Sequence, residues 1–260
     1  EQKIVMSATH TSERHLFLSV PVDDLTYNET LVWIEQKIQN RESCQICTIN
    51  PEFVIAAQNN LRFLSVLEEA SLCLPDGQGL LWAAQLHGVP LRQRVAGSTL
   101  VDLIAKNASS KELNLFFLGA GPGVAKLAAK NLRTKYPGLP IIHTMEASPS
   151  DVDAPSIIQR VRDNNPDILL VAFGAPDQDL WINRHCKELG VPICIGVGGA
   201  FDFISGRTKR APLLVQRLGF EWLHRLWTQP WRWKRMLALP LFAWKIIINR
   251  NSVTKITINP

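Results

Sequence analysis

Hydrophobic and polar positions alternate, over the first two hundred residues, between short apolar runs and segments of helical spacing. The apolar runs predict strands at 15–22, 44–49, 71–74, 114–120, 166–176 and 192–203. The helical spacing predicts helices at 26–40, 51–70, 122–136 and 178–188. Near-continuous apolar strands that are followed by helices indicate a parallel sheet covered on both faces. The predicted fold class is therefore α/β, with a Rossmann-like parallel sheet and helices on both faces.

Five short motifs follow the predicted strands. They are TINP (48–51), PDGQG (75–79), GAGPG (119–123), FGAPDQ (173–178) and GVGGAFD (196–202). Right-handed crossovers place the loops after parallel strands along one edge of the sheet. Ligands bind at that carboxyl edge in open α/β sheets. We therefore expect the five motifs to form one site.

The pattern changes after residue 205, where helical spacing continues without the alternation of strand and helix. We expect two or three helices there, broken near Pro230 and Pro240. The predicted division is an α/β core at 1–204, which holds the motifs, and a helical appendage at 205–260. The appendage holds five of the eight tryptophans, Trp222, Trp227, Trp231, Trp233 and Trp244.

Positive charge concentrates in this appendage. From Ser205 to Arg250 there are ten Lys or Arg and one acid, Glu221, which gives the segment +9 and leaves the rest of the chain at −4, within a total of +5. An anionic partner is expected. Nucleic acid, an anionic membrane, or no partner at all would each suit a basic helical face. The tryptophans favour a membrane interface, where one side of the ring is apolar and the other is wet.

Cysteine content and apolar run length suggest a cytoplasmic protein. Five cysteines are too few for a disulfide scaffold. Cys44 and Cys47 are predicted to face opposite sides of a strand, so they are expected to be buried thiols and not a metal or redox pair. The first residues lack the apolar run of a signal peptide, and no apolar run reaches the roughly 18 residues of a spanning helix.

Asp76 lies in the stretch SLCLPDGQGLLWAA (71–84), between an apolar strand and the next apolar pattern. Pro75, Asp76 and Gly77 together are common turn chemistry, in which the aspartate bonds its own backbone. The same turn would also present a carboxylate closely to a substrate. The residues alone leave both interpretations open.

Three other motifs also allow both a structural and a functional interpretation. Gly119 and Gly121 would hold a diphosphate at a helix N-terminus or simply form a tight turn. Gln178 could bond a sugar or base, or stand at a solvated helix start where Asp177 and Asp179 complement the dipole. Asp202, after Gly198, is either a helix cap or a site carboxylate.

Together the motifs resemble the WecG/TagA/CpsF group of bacterial glycosyltransferases over residues ~15–248. The matching stretches, in order, are TINPE, PDGQG, RVAGSTL (94–100), FLGAGPG, FGAPDQDLW, GVGGAFDFISGRTKRAP and EWLHRLWTQPWRWKR. The resemblance implies an inverting transfer from a UDP-sugar, with N-acetylmannosamine or its uronic acid as the sugar. The implied acceptor is N-acetylglucosamine on undecaprenyl diphosphate, in the synthesis of cell-surface polysaccharides such as teichoic acid.

The resemblance also implies roles for individual residues. Asp76 matches the proposed general base, and Thr48 a polar residue near the donor sugar. The implied appendage arginines, which would reach the diphosphate, are Arg225, Arg232 and Arg235. The expected substrate-binding residues are Asn50, Arg94, Gly119, Gly121, Gln178, Gly198 and Asp202. Thr99 stands where many members have an acidic residue, which leaves the donor and acceptor sugars open.

The chemistry fits the residue types. Inverting transfer needs a base for the acceptor hydroxyl, and arginines suit the charge on a departing UDP. The resemblance implies no metal or other cofactor, and an appendage that docks on the inner face of the plasma membrane without binding nucleic acid. The oligomeric state is left open, a homo-oligomer included. The alternative function is a non-catalytic basic module that binds nucleic acid or anionic lipid.

Overall fold

A computed structural model describes residues 13–89, 91–140, 142–212, 215, 221–230, 233–249 and 252–256. Within these residues the strands are β1 (Arg14–Phe17), β2 (Val20–Asp23), β3 (Cys44–Ile49), β4 (Leu72–Pro75), β5 (Leu115–Gly119), β6 (His143–Met145), β7 (Ile168–Ala172), β8 (Ile193–Gly196) and β9 (Val253–Ile256). The helices are α1 (Tyr27–Gln39), α2 (Pro51–Gln58), α3 (Leu61–Glu69), α4 (Gln78–Leu86), α5 (Gly97–Lys111), α6 (Val124–Lys135), α7 (Ala154–Asn164), α8 (Asp177–Leu189), α9 (Ala200–Ile204), α10 (Glu221–Thr228), α11 (Trp233–Met236) and α12 (Ala238–Ile248).

Strands β3 to β8 form a six-stranded sheet in the order β4-β3-β8-β7-β5-β6. Every neighbouring pair in this sheet is parallel. All carboxyl ends therefore meet at one edge, and each of the five sequence motifs begins there, at the end of β3, β4, β5, β7 or β8. The predicted fold class and the shared edge are confirmed.

Alternate residues of the central strands enter different cores on the two faces of the sheet. Cys44 and Ile46 pack with α1, α5, α6 and α9, whereas Cys47 packs with α2, α3 and α4. Burial on both faces explains why the strands are apolar throughout. The five cysteines are free thiols, and Cys44 and Cys47 face opposite sides as predicted.

The predicted strand at 15–22 is instead a hairpin of β1 and β2. Leu18 and Ser19 have positive φ, 48° and 71°, and reverse the chain between them. No glycine or asparagine marks this turn in the sequence. It is stabilised from a distance, because the Leu18 N–H donates to the Ser252 carbonyl at 2.7 Å and β9 pairs with β1.

The predicted single helix at 51–70 is two helices. The chain breaks at Asn59 and Asn60, and the Asn60 side chain accepts a hydrogen bond from the Phe63 N–H at 3.0 Å as the N-cap of α3. A side-chain acceptor at this position satisfies an N–H that the helix leaves unpaired. The second helix therefore starts where the sequence offers a cap.

The C-terminal segment contains the three helices α10, α11 and α12, with breaks after Thr228 and at Leu237, so the predicted breaks near Pro230 and Pro240 are confirmed. Pro240 lies in the first turn of α12, where its missing N–H removes no helical bond. Helix α12 packs on α2 and α4, with Phe242 and Ile246 buried in the core. Five elements had no sequence prediction: β6, β9, α4, α5 and α7. The predicted strand at 192–203 is too long, because β8 ends at Gly196 and residues from Ala200 form the short helix α9.

Candidate active site

A cleft of about 1010 Å³ opens at the carboxyl edge of the six-stranded sheet. All five predicted motif loops line it, together with residues of α4, the start of α5, the loop at 147–149, and α10, α11 and α12. Of the predicted site residues, the cleft brings together Thr48, Asn50, Asp76, Arg94, Gly121, Gln178, Gly198, Asp202 and Arg235.

Asp76 follows β4 directly and is fixed by its backbone. Its N–H donates to the Ile49 carbonyl at the end of β3, at 2.7 Å. Its carboxylate Oδ2 accepts from the N–H of Gly97, the first residue of α5, at 3.2 Å. A helix N-terminus favours a negatively charged acceptor. The turn therefore holds this half-buried carboxylate in a defined place on the cleft wall.

Two glycines allow the loops around Asp76 to approach closely. A Cβ at Gly77 would lie 2.5 Å from Pro51 Cδ, so only glycine fits between the turn and the start of α2. A Cβ at Gly97 would lie 3.6 Å from both Asp76 Oδ2 and Thr48 Cγ2. The carboxylate and the threonine side chain therefore flank the same point of the cleft.

Asn50 and Thr48 also support the backbone. The Asn50 side chain caps α2 by accepting from the Phe53 N–H at 3.1 Å. The Thr48 hydroxyl donates to the Gly196 carbonyl at 3.4 Å, across the β3–β8 pair. Both side chains line the cleft while they hold its floor together.

Arg94 lies between carboxylates of two different segments. Its Nη2 donates to Glu221 Oε2 at 2.8 Å. Burial lowers the pKa of Arg94, but the charges of Asp76 and Glu221 outweigh burial and raise it overall. This arginine therefore stays charged and links the α4 side of the cleft to the first turn of α10.

Gln178 is buried and forms a hydrogen bond with the loop after β8. Its side-chain oxygen accepts from the Gly198 N–H at 2.9 Å. Asp179 beside it is also fully buried, so a solvated helix start is wrong for this residue, while Asp177 is exposed. Asp202 lies on the short helix α9 and lines the cleft.

The two glycines of the GAGPG turn have different surroundings. Gly121 lines the cleft, but Gly119 is not among the lining residues. Gly119 has a φ of +89°, and a Cβ there would lie 2.7 Å from the Phe173 ring, which accounts for the glycine by packing. The Gly123 N–H, at the start of α6, already donates to Glu146 at 2.7 Å.

The C-terminal wall supplies one of the three predicted appendage arginines. Arg235 Nε donates to Glu52 Oε2 at 2.9 Å. Arg225 lies in α10, and its side chain is outside the described part of the chain; Arg232 lies outside the described residues altogether. The position of these two guanidinium groups therefore stays a prediction.

Apolar side chains dominate the far end of the cleft and the surface next to it. Trp82, Leu86, Leu239, Phe242 and Ile246 line the cleft. The exposed large apolar residues of the C-terminal helices are Leu223, Trp227, Trp233, Leu237, Leu241, Trp244, Ile247 and Ile248. The cleft thus runs from a charged end at the sheet to an apolar end at α12.

The sequence contains two Asp-x-Asp triplets, at 151–153 and 177–179. Asp151 pairs with Arg184 on the surface, and Asp179 is buried away from the cleft. Within the described ranges, no three His, Cys, Asp or Glu side chains come close enough together to hold a metal ion.

Sequence reasoning missed Glu221 and Glu52 as partners of the cleft arginines. The available signal for Glu221 was its charge, because it is the single acid in a segment of ten basic residues. Glu52 stands in the TINPE stretch, but no sequence pattern pairs it with Arg235, which is 183 residues away.

Comparison with known proteins gives a consistent result. The profile described as Glycosyl transferase WecG/TagA/CpsF family matches residues 15–255. The chain is 33% identical to a protein of Bacillus subtilis (strain 168), over 83% of this chain and 82% of the other. It is 32% identical to one of Bacillus spizizenii (81% and 81%) and 30% identical to one of Staphylococcus aureus (strain NCTC 8325 / PS 47; 84% and 85%).

All three relatives carry the name N-acetylglucosaminyldiphosphoundecaprenol N-acetyl-beta-D-mannosaminyltransferase. None of these matches favours a non-catalytic module that binds nucleic acid or lipid. Among the helices in the described ranges, none has both the length and the apolar character needed to cross a membrane.

Proposed function

Because the chain belongs to the WecG/TagA/CpsF family of glycosyl transferases, we propose that it transfers N-acetylmannosamine, or its uronic acid, from a UDP-sugar to N-acetylglucosamine on undecaprenyl diphosphate. The transfer inverts the anomeric centre and serves the synthesis of a cell-surface polysaccharide. The acceptor and the N-acetylmannosaminyl group follow the name of the relatives.

The observation that carries this proposal is the fixed carboxylate of Asp76 at the charged end of a cleft whose other end is apolar. A sugar linked to a lipid through a diphosphate has the same succession of chemistry: a polar sugar, an anionic linker and a long apolar chain. The cleft therefore offers groups of matching chemistry to the sugar, the diphosphate and the first part of the lipid, with the reacting sugar at the sheet.

In the proposed reaction, Asp76 accepts the proton of the acceptor hydroxyl as that oxygen attacks the anomeric carbon. A bond forms between this oxygen and the anomeric carbon, and the bond from the carbon to the UDP oxygen breaks. The leaving UDP takes the electron pair. Thr48, Asn50 and Gln178 are proposed to contact the donor, with Gly121, Gly198 and Asp202 as further contacts.

Arginine side chains are proposed to bind the phosphate groups of the substrates. Arg94 and Arg235 line the cleft. Arg225 and Arg232 belong to the same C-terminal segment as Arg235, and we expect them to reach the cleft as well. Guanidinium groups match phosphate oxygens in a bidentate way and remain charged at all relevant pH values. They would stabilise the negative charge that develops on the leaving group.

We further propose that residues 205–260 act as an appendage that docks the protein peripherally on the inner face of the plasma membrane. Trp227 is 87% exposed, and Trp233 and Trp244 are more than half exposed. Indole rings favour the boundary between headgroups and acyl chains, and the net charge of +9 between Ser205 and Arg250 favours anionic lipid. Such docking would bring the lipid-linked acceptor to the apolar end of the cleft.

A panel of UDP-sugars tests this function. The full chain is incubated with each donor and a short-chain lipid-diphosphate N-acetylglucosamine, and both UDP release and the disaccharide product are measured. We expect acceptor-dependent UDP release with UDP-N-acetylmannosamine or its uronic acid. If no donor in the panel gives an acceptor-dependent product, the proposed function is wrong.

A further inference from the structure

Glu221 is the single acid between Ser205 and Arg250, and it lies at the start of α10 with its side chain 14% exposed. Its two carboxylate oxygens face two arginines. Oε2 accepts from Arg94 at 2.8 Å, and Oε1 lies 3.9 Å from Arg210 Nε. Glu221 is largely buried and lines the cleft. A charge needed only for solubility would be exposed to solvent, so this acid is expected to have another role.

Arg94 is the group that connects Glu221 to Asp76. The segment of Arg94 bonds the turn of Asp76 directly, because the Val95 N–H donates to the Pro75 carbonyl at 2.7 Å and the Gly97 N–H donates to Asp76 Oδ2 at 3.2 Å. The charges of Asp76 and Glu221 both act on Arg94 and raise its pKa. Tyr27 on α1 also acts on Arg94, and its hydroxyl accepts from the Ala96 N–H at 2.8 Å. Three groups from different parts of the chain thus act on the Arg94 guanidinium: the carboxylates of Asp76 and Glu221 and the hydroxyl of Tyr27.

Arg210 is the second arginine near Glu221. Arg210 Nη1 donates to the hydroxyl of Thr99 on α5 at 3.3 Å, and its guanidinium lies over the Phe203 ring. Arg210 therefore lies near the carboxylate oxygen of Glu221 that Arg94 does not bond. The chain of charged groups runs from Arg210 through Glu221 to Arg94, whose segment bonds Asp76 at the Gly97 N–H.

A positive charge beside a general base weakens the base, because it stabilises the carboxylate that must accept the proton. A second carboxylate on the same guanidinium offsets part of that charge and also fixes the direction in which the guanidinium points.

We propose that Glu221 is a positioning residue for the transfer reaction: it fixes Arg94, and with Arg94 the segment 94–97 that bonds Asp76, and thereby keeps Asp76 in place as the base. The proposal rests on the proposed function, in which Asp76 is that base. Since Glu221 comes from the C-terminal segment, the base reaches its full strength only when α10 lies against the core.

A second ion pair between the core and the C-terminal segment offers a matched control. In the pair of Arg235 and Glu52, the core supplies the acid and the segment supplies the arginine. Glu52→Gln therefore removes one ion pair between the same two parts of the protein, as Glu221→Gln does, but leaves the partner of Arg94 unchanged.

The experiment measures kcat/KM against pH for wild type, Glu221→Gln, Glu221→Asp and Glu52→Gln, as full chains whose folding is checked by thermal melting. For Glu221→Gln we expect the acid limb to move to lower pH by about one unit and the plateau to fall about 10- to 100-fold. Glu221→Asp should restore part of both changes. Glu52→Gln should keep the acid limb of the wild type.

Amide hydrogen exchange of residues 94–97 gives a readout that does not depend on turnover. The Gly97 N–H bonds Asp76 Oδ2, so faster exchange at Gly97 in Glu221→Gln, but not in Glu52→Gln, supports the positioning role. If Glu221→Gln has the same acid limb and the same exchange rate at Gly97 as the wild type, the inference is falsified, while the proposed function is unaffected. A wild type without any transferase activity contradicts the proposed function instead, and the exchange experiment still tests the position of Asp76.

Discussion

Replacing Asp179 with asparagine should stabilise the protein, and more so at alkaline pH. Asp179 is fully buried at the start of α8, where a Cβ at Gly196 would lie 2.6 Å from its Oδ1. Neither carboxylate oxygen has a hydrogen bond of ordinary geometry. Burial raises the pKa of Asp179 from 3.8 to about 7, although the nearby Cys47 thiol and Gln178 amide act in the opposite direction.

The size of the effect follows from this shift. A carboxyl that binds its proton more tightly in the folded state destabilises the fold progressively as pH rises from the unfolded pKa to the folded pKa. The penalty is absent below about pH 4 and complete above about pH 7, where it reaches about 4 kcal/mol. Between pH 5 and pH 8 the penalty grows by about 3 kcal/mol.

The assay is urea unfolding of wild type and Asp179→Asn at pH 5 and pH 8. Asparagine does not titrate, so any packing cost of its amide is the same at both pH values. All other titrating groups are shared, and their contributions cancel in the difference between the two proteins. We expect the free energy of unfolding of Asp179→Asn, relative to wild type, to be about 3 kcal/mol higher at pH 8 than at pH 5.

A difference between the two proteins that stays constant from pH 5 to pH 8 would refute this reasoning. It would mean that Asp179 is ionised in the folded state or titrates as it does in the unfolded chain. The same result would contradict the conclusion that burial raises the pKa of Asp179 in the folded protein.

Two further predictions concern the turn and the membrane surface. Gly77→Ala should lower the free energy of unfolding by about 1–3 kcal/mol, since its Cβ would lie 2.5 Å from Pro51 Cδ, whereas Gly121→Ala, with no neighbour closer than 3.7 Å, should unfold like wild type in urea. Equal midpoints for the two variants would exclude the close approach. Combining Trp227→Ser with Trp244→Ser should weaken binding to anionic vesicles about tenfold or more, measured by cosedimentation, and leave UDP binding unchanged. Unaltered vesicle binding would contradict the proposed docking surface.

The sequence was sufficient for the parallel sheet and for the edge at which the site lies. Segments such as Ile168–Ala172 are apolar at every position, and only a strand covered on both faces requires this. Once the strands are parallel, their following loops share an edge whatever the strand order. The meeting of TINP, PDGQG, GAGPG, FGAPDQ and GVGGAFD therefore followed from local patterns alone.

Pairing between segments that are far apart in the chain could not be predicted from the sequence. The turn at Leu18 and Ser19 contains neither glycine nor asparagine and is stabilised by Ser252, more than two hundred residues away. Strand β9 has four residues, too few for a periodic signal, and is defined by its pairing with β1. Such contacts depend on how the whole chain folds back on itself.

Within the site, the sequence indicated residue types but not their partners. Asp76, Arg94 and Arg235 line the cleft, as their motifs predicted, yet no motif indicated that the two arginines pair with Glu221 and Glu52. The Asp-x-Asp spacing at 177–179 is shared by an exposed and a fully buried aspartate. Charge partners are decided by packing, which sequence spacing does not record.

The most direct test of the account measures sugar transfer by wild type and Asp76→Asn side by side. Each protein is given UDP-N-acetylmannosamine and the lipid-diphosphate N-acetylglucosamine acceptor, product is followed by mass spectrometry, and UDP affinity is measured by calorimetry. We predict product from the wild type, turnover at least ~100-fold lower for Asp76→Asn, and the same UDP affinity for both. Turnover of Asp76→Asn within a few-fold of wild type would show that the turn only shapes the backbone and that Asp76 is not the base.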